Sequence, residues 1–380
     1  MSVDILIKNG HVVDPYQGIN GIGNVGLQGN VIVTVDKATH AKKEIDASGC
    51  YVMPGLIDYH VHAFYRGAEP GVPPDSMLAT GVTAAVDGGS AGSSNFGIFH
   101  NAIISTAQLR MKAYLSACVC GQQSDEVPEY YSPETIFPNH IKRIVNTYRD
   151  VILGLKIRMT KGVASGIECL EKVVRIAEEL DIGVCVHITN PVCSLDEIVR
   201  LLRKGDVVCH MYQGTGMDNI LNKDGTVKTS MQDARARGVI FDGCNGRANF
   251  SFDVAIPAVK DHKFLPDVLS TDWTKDKMNL SPHAKSLPFL MAKYCAFGMD
   301  LVDVVRMVTD IPARLMGMEG EIGTLKPGAY ADVAVFKKIQ KTVRHTDAHG
   351  KTFESGELLI PQITFCDGET CFCQGDFALL

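Results

Sequence analysis

Eight short, nearly continuous apolar runs alternate with longer amphipathic stretches between residues 52 and 273. No other feature narrows the fold as much. The runs extend from Val52 to Asp58, Val82 to Asp87, Met111 to Val119, Ile152 to Arg158, Ile182 to Ile188, Val207 to Tyr212, Gly238 to Asp242 and Val268 to Trp273. A run with no polar alternation reads as a strand buried on both faces, the condition of parallel sheets. The intervening stretches carry a helical period. Residues 166–180, for example, place Ile167, Leu170, Val173, Val174, Ile176 and Ala177 at three- and four-residue spacing. Eight such alternations predict an α/β fold, a (β/α)8 TIM barrel. An open doubly wound sheet would show a similar alternation.

The flanks read differently. Residues 1–51 hold β-rich runs, Ile5-Leu6-Ile7 and Val31 to Val35, punctuated by Asn9-Gly10 and Gly29-Asn30. After residue 320 a turn-rich Gly323 to Gly328 precedes the strand-like Ala331 to Phe336. The two ends predict one small β-sandwich beside the barrel, with segments 1–51, 52–320 and 321–380.

Composition excludes several classes. Net charge is −6 with both signs interspersed, so no basic surface for nucleic acid is expected. No apolar stretch reaches 18 residues, which argues against a membrane span. Met1-Ser2-Val3-Asp4 opens without a basic or apolar leader, so a cytoplasmic protein is expected, with its 12 cysteines as thiols. Cys118, Cys185 and Cys209 sit in strand-like runs as small core residues. The spacing of Cys366, Cys371 and Cys373 matches no standard zinc pattern.

Chemistry concentrates at the C-terminal ends of the predicted strands, the face where barrels carry active sites. His60-Val61-His62 closes the first run, and residues two apart in extended chain point the same way. His187, His210 and Asp272 end the fifth, sixth and eighth runs. One histidine would be unremarkable, but four with an aspartate at one rim predict a metal site. Lys156 ends the fourth run. It could snorkel from an apolar strand. Held neutral among cation ligands, it could instead add carbon dioxide and become an anionic carbamate able to bridge two metals.

With these residues assembled, the chain resembles the amidohydrolase superfamily. The resemblance is carried by Pro54 to His62, Lys156, His187, His210, Asp272 and the Gly323 to Asp332 segment. It implies two divalent cations, zinc above all, although manganese or iron would suit the same ligands. His60, His62 and Asp272 would hold the inner ion, and His187 and His210 the outer one. Carboxylated Lys156 and a hydroxide would bridge them, with Asp272 as proton shuttle in cleaving an amide or ester.

Within the superfamily the chain looks like a dihydroorotase-like deacetylase branch, on Thr80 to Thr83, Val86 to Gly92, Gly154 to Arg158 and Phe241 to Phe252. That implies deacetylation of a small N-acetyl amino acid or O-acetyl hydroxy acid. Cys244-Asn245-Gly246 departs from the Gly-His-Gly turn expected there. Substrate contacts are expected from Arg158, which could fork onto a carboxylate, and from Tyr212, Asn245 and Arg247. Gly88 to Gly92 could cradle an anion. Trp273 reads as packing and His283 as structural. Alternatives are a cyclic amidohydrolase, disfavoured because Phe64 stands where dihydroorotases carry an arginine, then a nucleobase deaminase, then a non-catalytic scaffold. The expected partners are a small-molecule substrate and further copies of the chain.

Overall fold

The computed structural model describes residues 2–36, 39–276, 278, 283–375 and 377. Its strands divide into two sheets. One is parallel throughout, made of β6 (Leu56–Val61), β7 (Val82–Asp87), β8 (Arg110–Ser116), β9 (Ile152–Arg158), β10 (Gly183–His187), β11 (Val207–Cys209) and β12 (Ile240–Asp242). Neighbours in this sheet are neighbours in sequence. All residues of β6 and β7 are buried, which is why both read as unbroken apolar runs. Helices lie between the strands. In the helix Ile167–Leu180 the buried stripe includes Leu170, Val173, Val174, Ile176, Ala177 and Leu180. Asp181 ends it in a left-handed conformation, φ 52°.

The eighth predicted strand is not a regular strand. Residues 268–273 touch both edges of the sheet instead. Val268 bridges Asp242 and Trp273 bridges Val61, each in parallel sense. The sheet therefore curls until its first and last strands share this one segment.

The first predicted run also needs correction. Val52 to Asp58 serves two sheets, because Gly55 separates β5 (Cys50–Pro54) from β6. β5 belongs to the second sheet, built from both ends of the chain. This sheet also contains β1 (Ser2–Asp14), β2 (Ile19–Gln28), β3 (Val31–Val33), β4 (His40–Asp46), β13 (Val333–Thr346), β14 (Thr352–Cys366) and β15 (Glu369–Cys373). Its order is β15-β14-β13-β5-β1-β2-β3, with β4 on β1. The antiparallel pairing of β5 with β13, Val52 opposite Val335, joins the two ends. Ile7, Val12, Leu27, Ile32, Val333 and Phe365 are among the residues of its own apolar core.

Two polar clips hold the sheets in place. Asp14 accepts bonds from the Thr324 hydroxyl at 2.9 Å and the Leu325 amide at 2.7 Å, which explains the turn-rich Gly323 to Gly328. Asp332 pairs with Arg110 of β8 at 2.5 Å and accepts from the Asp367 amide at 2.9 Å. Gly55 donates to the Asp332 carbonyl at 2.8 Å. A Cβ on Gly55 would overlap the Thr83 hydroxyl. Gly55→Ala is therefore expected to destabilise the fold by about 1–3 kcal/mol, the usual cost of overpacking, with urea denaturation as the measurement.

Candidate metal centre

β6 and segment 268–273 position the first three donors. The Asp272 amide donates to the His60 carbonyl at 2.8 Å, and the His62 amide to the Trp273 carbonyl at 2.9 Å. Asp58 reinforces the seam by accepting the Thr271 amide at 3.0 Å and its hydroxyl at 2.6 Å. Burial pushes the Asp58 carboxyl up to about 7, although the Thr271 bonds pull the other way. The seam carries the Asp272 carboxylate to 3.2 Å from His62 Nε2 and 3.9 Å from His60 Nε2. Donor atoms of His60, His62 and Asp272 all lie within 4.8 Å of one another.

The other predicted donors close around them. Lys156 Nζ stands 3.4 Å from His60 Nε2. The His187 and His210 rings are 4.4 Å apart, and His210 is 5.5 Å from His60. All six side chains belong to residues between 1% and 8% exposed, so bulk water does not satisfy them. His210 and Asp272 hold left-handed backbones, φ 64° and 50°. That conformation is uncommon for residues with a Cβ and collects at functional sites. Gly88 and Gly89 leave the space the donors occupy. A Cβ on Gly88 would overlap the His60 ring, and one on Gly89 would stand 2.6 Å from Lys156 Cβ.

Electrostatics prepares the imidazoles as ligands. Burial, reinforced by Lys156 beside His60 and by His210 beside His187, holds both His60 and His187 well below the ordinary histidine value. Neutral rings offer lone pairs to a cation. Lys156 behaves otherwise. Burial opposes its ammonium, but Cys185, Cys209, Cys244 and Asp272 outweigh burial and the lysine titrates above its ordinary value. The protein's own groups favour the charged form. The expected neutral lysine therefore depends on the repulsion of bound dications, not on burial.

Hydrogen bonds orient the rings. Ser90 Oγ donates to Asp87 at 2.7 Å and lies 2.9 Å from His62 Nδ1. The single hydroxyl proton goes to the carboxylate, so Ser90 accepts from Nδ1–H of His62, and Nε2 is the ring nitrogen that faces Asp272. His210 Nδ1 lies 3.2 Å from the Cys244 carbonyl, an acceptor, so Nε2 is the nitrogen that could meet a cation. Asn249 Nδ2 donates to Asp272 at 3.2 Å and lies 3.4 Å from His210 Nε2. Gly89 and Ser90 spend their amides on Asp87, at 3.0 and 2.7 Å, so the Gly88 to Gly92 segment builds the centre rather than cradling a substrate anion.

A cleft of about 390 Å³ opens over the donors, lined by His62, His187 and Asp272 with Arg158, Arg247, Glu129 and Asn249. Arg158 pairs with Glu129 at 2.8 Å, and Glu129 is held by the Tyr131 hydroxyl at 2.6 Å. Two expected substrate contacts are not there. Tyr212 is buried and donates to the Phe264 carbonyl at 2.7 Å. β11 ends at Cys209, and the left-handed turn at His210 breaks the alternation that would have aimed Tyr212 at the cleft. Asn245 is also buried, accepting from Lys293 Nζ at 2.7 Å and donating to the Tyr294 hydroxyl at 3.2 Å. The loop turns its side chain toward the helix Leu287–Ala296. Trp273 is packing, with its indole N–H on the Lys285 carbonyl, and His283 bonds the Thr346 carbonyl, as expected for both. Sequence reasoning missed Asp87, Ser90 and Glu129. Asp87-Gly88-Gly89-Ser90 at a strand end was a readable signal. Glu129 lies in a long loop and offered none.

A family model described as "Amidohydrolase family" matches residues 51–371. The chain belongs to the amidohydrolase family. It is thereby a hydrolase. A deacetylase of Agrobacterium fabrum is 30% identical over 355 residues, covering 92% of this chain and 85% of the relative. A deacetylase of Enterococcus faecalis is 28% identical, covering 97% and 99%. A solved adenine deaminase superposes with TM-score 0.87 at 28% identity, covering 98% of this chain and all of the other. A solved dihydroorotase does so with TM-score 0.87 at 28% identity, covering 97% and 99%. Among the described residues of this amidohydrolase, no helix is long and apolar enough to cross a membrane.

Two outcomes follow from this geometry. Ser90→Ala removes the acceptor that orients His62, so metal affinity should fall about 10–100-fold, measured by competition with a chelator. Burial brings the Lys293 amine down to about 7 from 10.5. Between those values the unfolded chain keeps a proton that the folded chain has lost, so stability rises with pH across the window. Lys293→Met should abolish that rise in urea denaturation.

Proposed function

We propose that the chain is a two-metal hydrolase on a (β/α)8 barrel, with residues 268–273 as the irregular eighth strand. Its substrate is a small N-acetyl amino acid or O-acetyl hydroxy acid. The observation that carries this reading is the convergence of six buried donors from five strand ends beneath one cleft. The donor set fits a pair of divalent cations. His60, His62 and Asp272 would hold the inner ion, His187 and His210 the outer, with Lys156 as a carbamate between them. Bound there, the ions would supply a nucleophilic water at neutral pH and polarise the scissile carbonyl.

The chain's own residues do the rest. Asp272, aimed by its seam to β6, accepts the proton of the attacking water and returns it to the leaving nitrogen or oxygen. Asn249 keeps the Asp272 carboxylate in place. Arg158 lines the cleft beside its partner Glu129, and its guanidinium could fork onto a substrate carboxylate. Arg247, exposed at the rim, adds positive charge to the same cleft.

Deacetylation ranks above cyclic amide hydrolysis for a structural reason. Phe64 is buried against Phe99, with ring centres 4.8 Å apart, and offers no cation to a dihydroorotate carboxylate. Arg66 has a left-handed backbone, lies over Tyr65 and is not among the residues lining the cleft over the donors. The full-length likeness to named deacetylases agrees, whereas one dihydroorotase relative matches only 23% of the chain. Cyclic amide hydrolysis stands second because of the solved dihydroorotase of the same shape.

The metal-loaded protein should hydrolyse N-acetyl amino acids or O-acetyl hydroxy acids faster than dihydroorotate, hydantoins or adenine. Turnover of the cyclic compounds alone would reverse the ranking. Lys156→Ala should lose most activity and recover part of it with a short-chain carboxylic acid. Full activity in that variant would remove the bridging role.

A further inference from the structure

A layer of thiols lies directly beneath the hydrolytic donors, and the hydrolase reading makes no use of it. Cys185 precedes His187 by two residues on β10 and so shares its face. Cys209 ends β11, and Cys244 follows β12 by two residues. All three are at most 1% exposed. Lys156 Nζ donates to Cys185 Sγ at 3.5 Å.

The two nitrogens of His60 divide between the layers. Nε2 faces Lys156 and Asp272 above. Nδ1 faces Cys209 Sγ at 3.2 Å below. Donor atoms of His60, Cys209, His210 and Cys244 all lie within 4.8 Å of one another. Around a tetrahedral ion with bonds of about 2.0–2.3 Å, donors stand roughly 3.3–3.8 Å apart, a spacing the Cys209–His60 pair already approaches at 3.2 Å and to which the rest of the set, within 4.8 Å, would have to contract.

We infer that Cys209, Cys244, His60 and His210 form an alternative site for one thiophilic divalent cation, which shares His60 and His210 with the hydrolytic pair. Two thiolates and two imidazoles make a soft tetrahedral donor set, which favours cadmium or zinc over manganese or magnesium. Binding forms two metal–sulfur bonds and releases two thiol protons to solvent. It also takes His210 from the outer hydrolytic position, so a soft ion here competes with assembly of the active pair. This goes beyond the hydrolase reading and does not rest on the identity of the substrate.

The test is titration of the metal-free full chain with cadmium, following thiolate-to-cadmium absorption in the ultraviolet and proton release by a pH indicator. One tight equivalent with two protons released is expected. The band should vanish in the double variant Cys209→Ala and Cys244→Ala, and persist in Cys371→Ser with Cys373→Ser, which removes the half-buried C-terminal thiols. An absent band, or one unchanged in the first variant, overturns the site. Should that variant not fold, cadmium NMR of the unaltered protein decides by the shift that bound sulfur imposes. Two sulfurs support the site, and oxygen or nitrogen ligation alone overturns it. Either negative result leaves the hydrolase reading intact, because acetyl-substrate turnover with manganese tests that separately.

Discussion

The seam between β6 and residues 268–273 is the constraint on which the centre depends. It joins segments whose paired residues, Asp58 and Thr271, are 213 positions apart. Backbone bonds on both sides of it fix His60, His62 and Asp272 relative to one another. Ligation needs donors placed to within a fraction of an ångström, and side chains on independently moving loops cannot supply that. Here the same bonds that close the sheet also set the ligand geometry. Asp58 is buried for this purpose, and its raised protonation value shows what desolvation costs a carboxylate held by only one neighbouring residue's donors and the His60 amide.

Burial has opposite consequences for the two kinds of nitrogen in the centre. It keeps His60 and His187 neutral and ready to bind a cation. It does not achieve the same for Lys156, because thiols and Asp272 surround that amine. The rings could not stand so close without the bare backbone of Gly88 and Gly89 behind them. Asp87 then gathers the amides of Ala63, Gly89 and Ser90 into one network that ends on His62. Each bond satisfies a buried polar group and, in doing so, selects which imidazole nitrogen is left to bind metal.

The candidate donors were legible in the sequence because strands of a parallel sheet end at one rim. A histidine or acid at a strand end is thereby placed before any contact is known. His60, Lys156 and His187 came from regular strands, where the two-residue period holds. The reading weakened wherever the backbone left that period. Tyr212 lies beyond a left-handed turn at His210, and Asn245 lies in a loop that answers to Lys293 on a distant helix. Glu129 reaches the cleft from a loop whose path depends on Tyr131 and Ser116.

By itself, then, the sequence determined the strand–helix alternation, the buried character of the strands and the set of candidate donors, since local hydrophobic period and strand-end position need no knowledge of distant partners. The tertiary structure alone decided that Val52 to Pro54 and Leu56 to Val61 enter different sheets, that residues 268–273 close the parallel sheet without forming a regular strand, and which nitrogen of His60 and of His62 faces Asp272. Those outcomes depend on hydrogen bonds between residues far apart in the chain, and no local pattern encodes which distant group will be there to accept them.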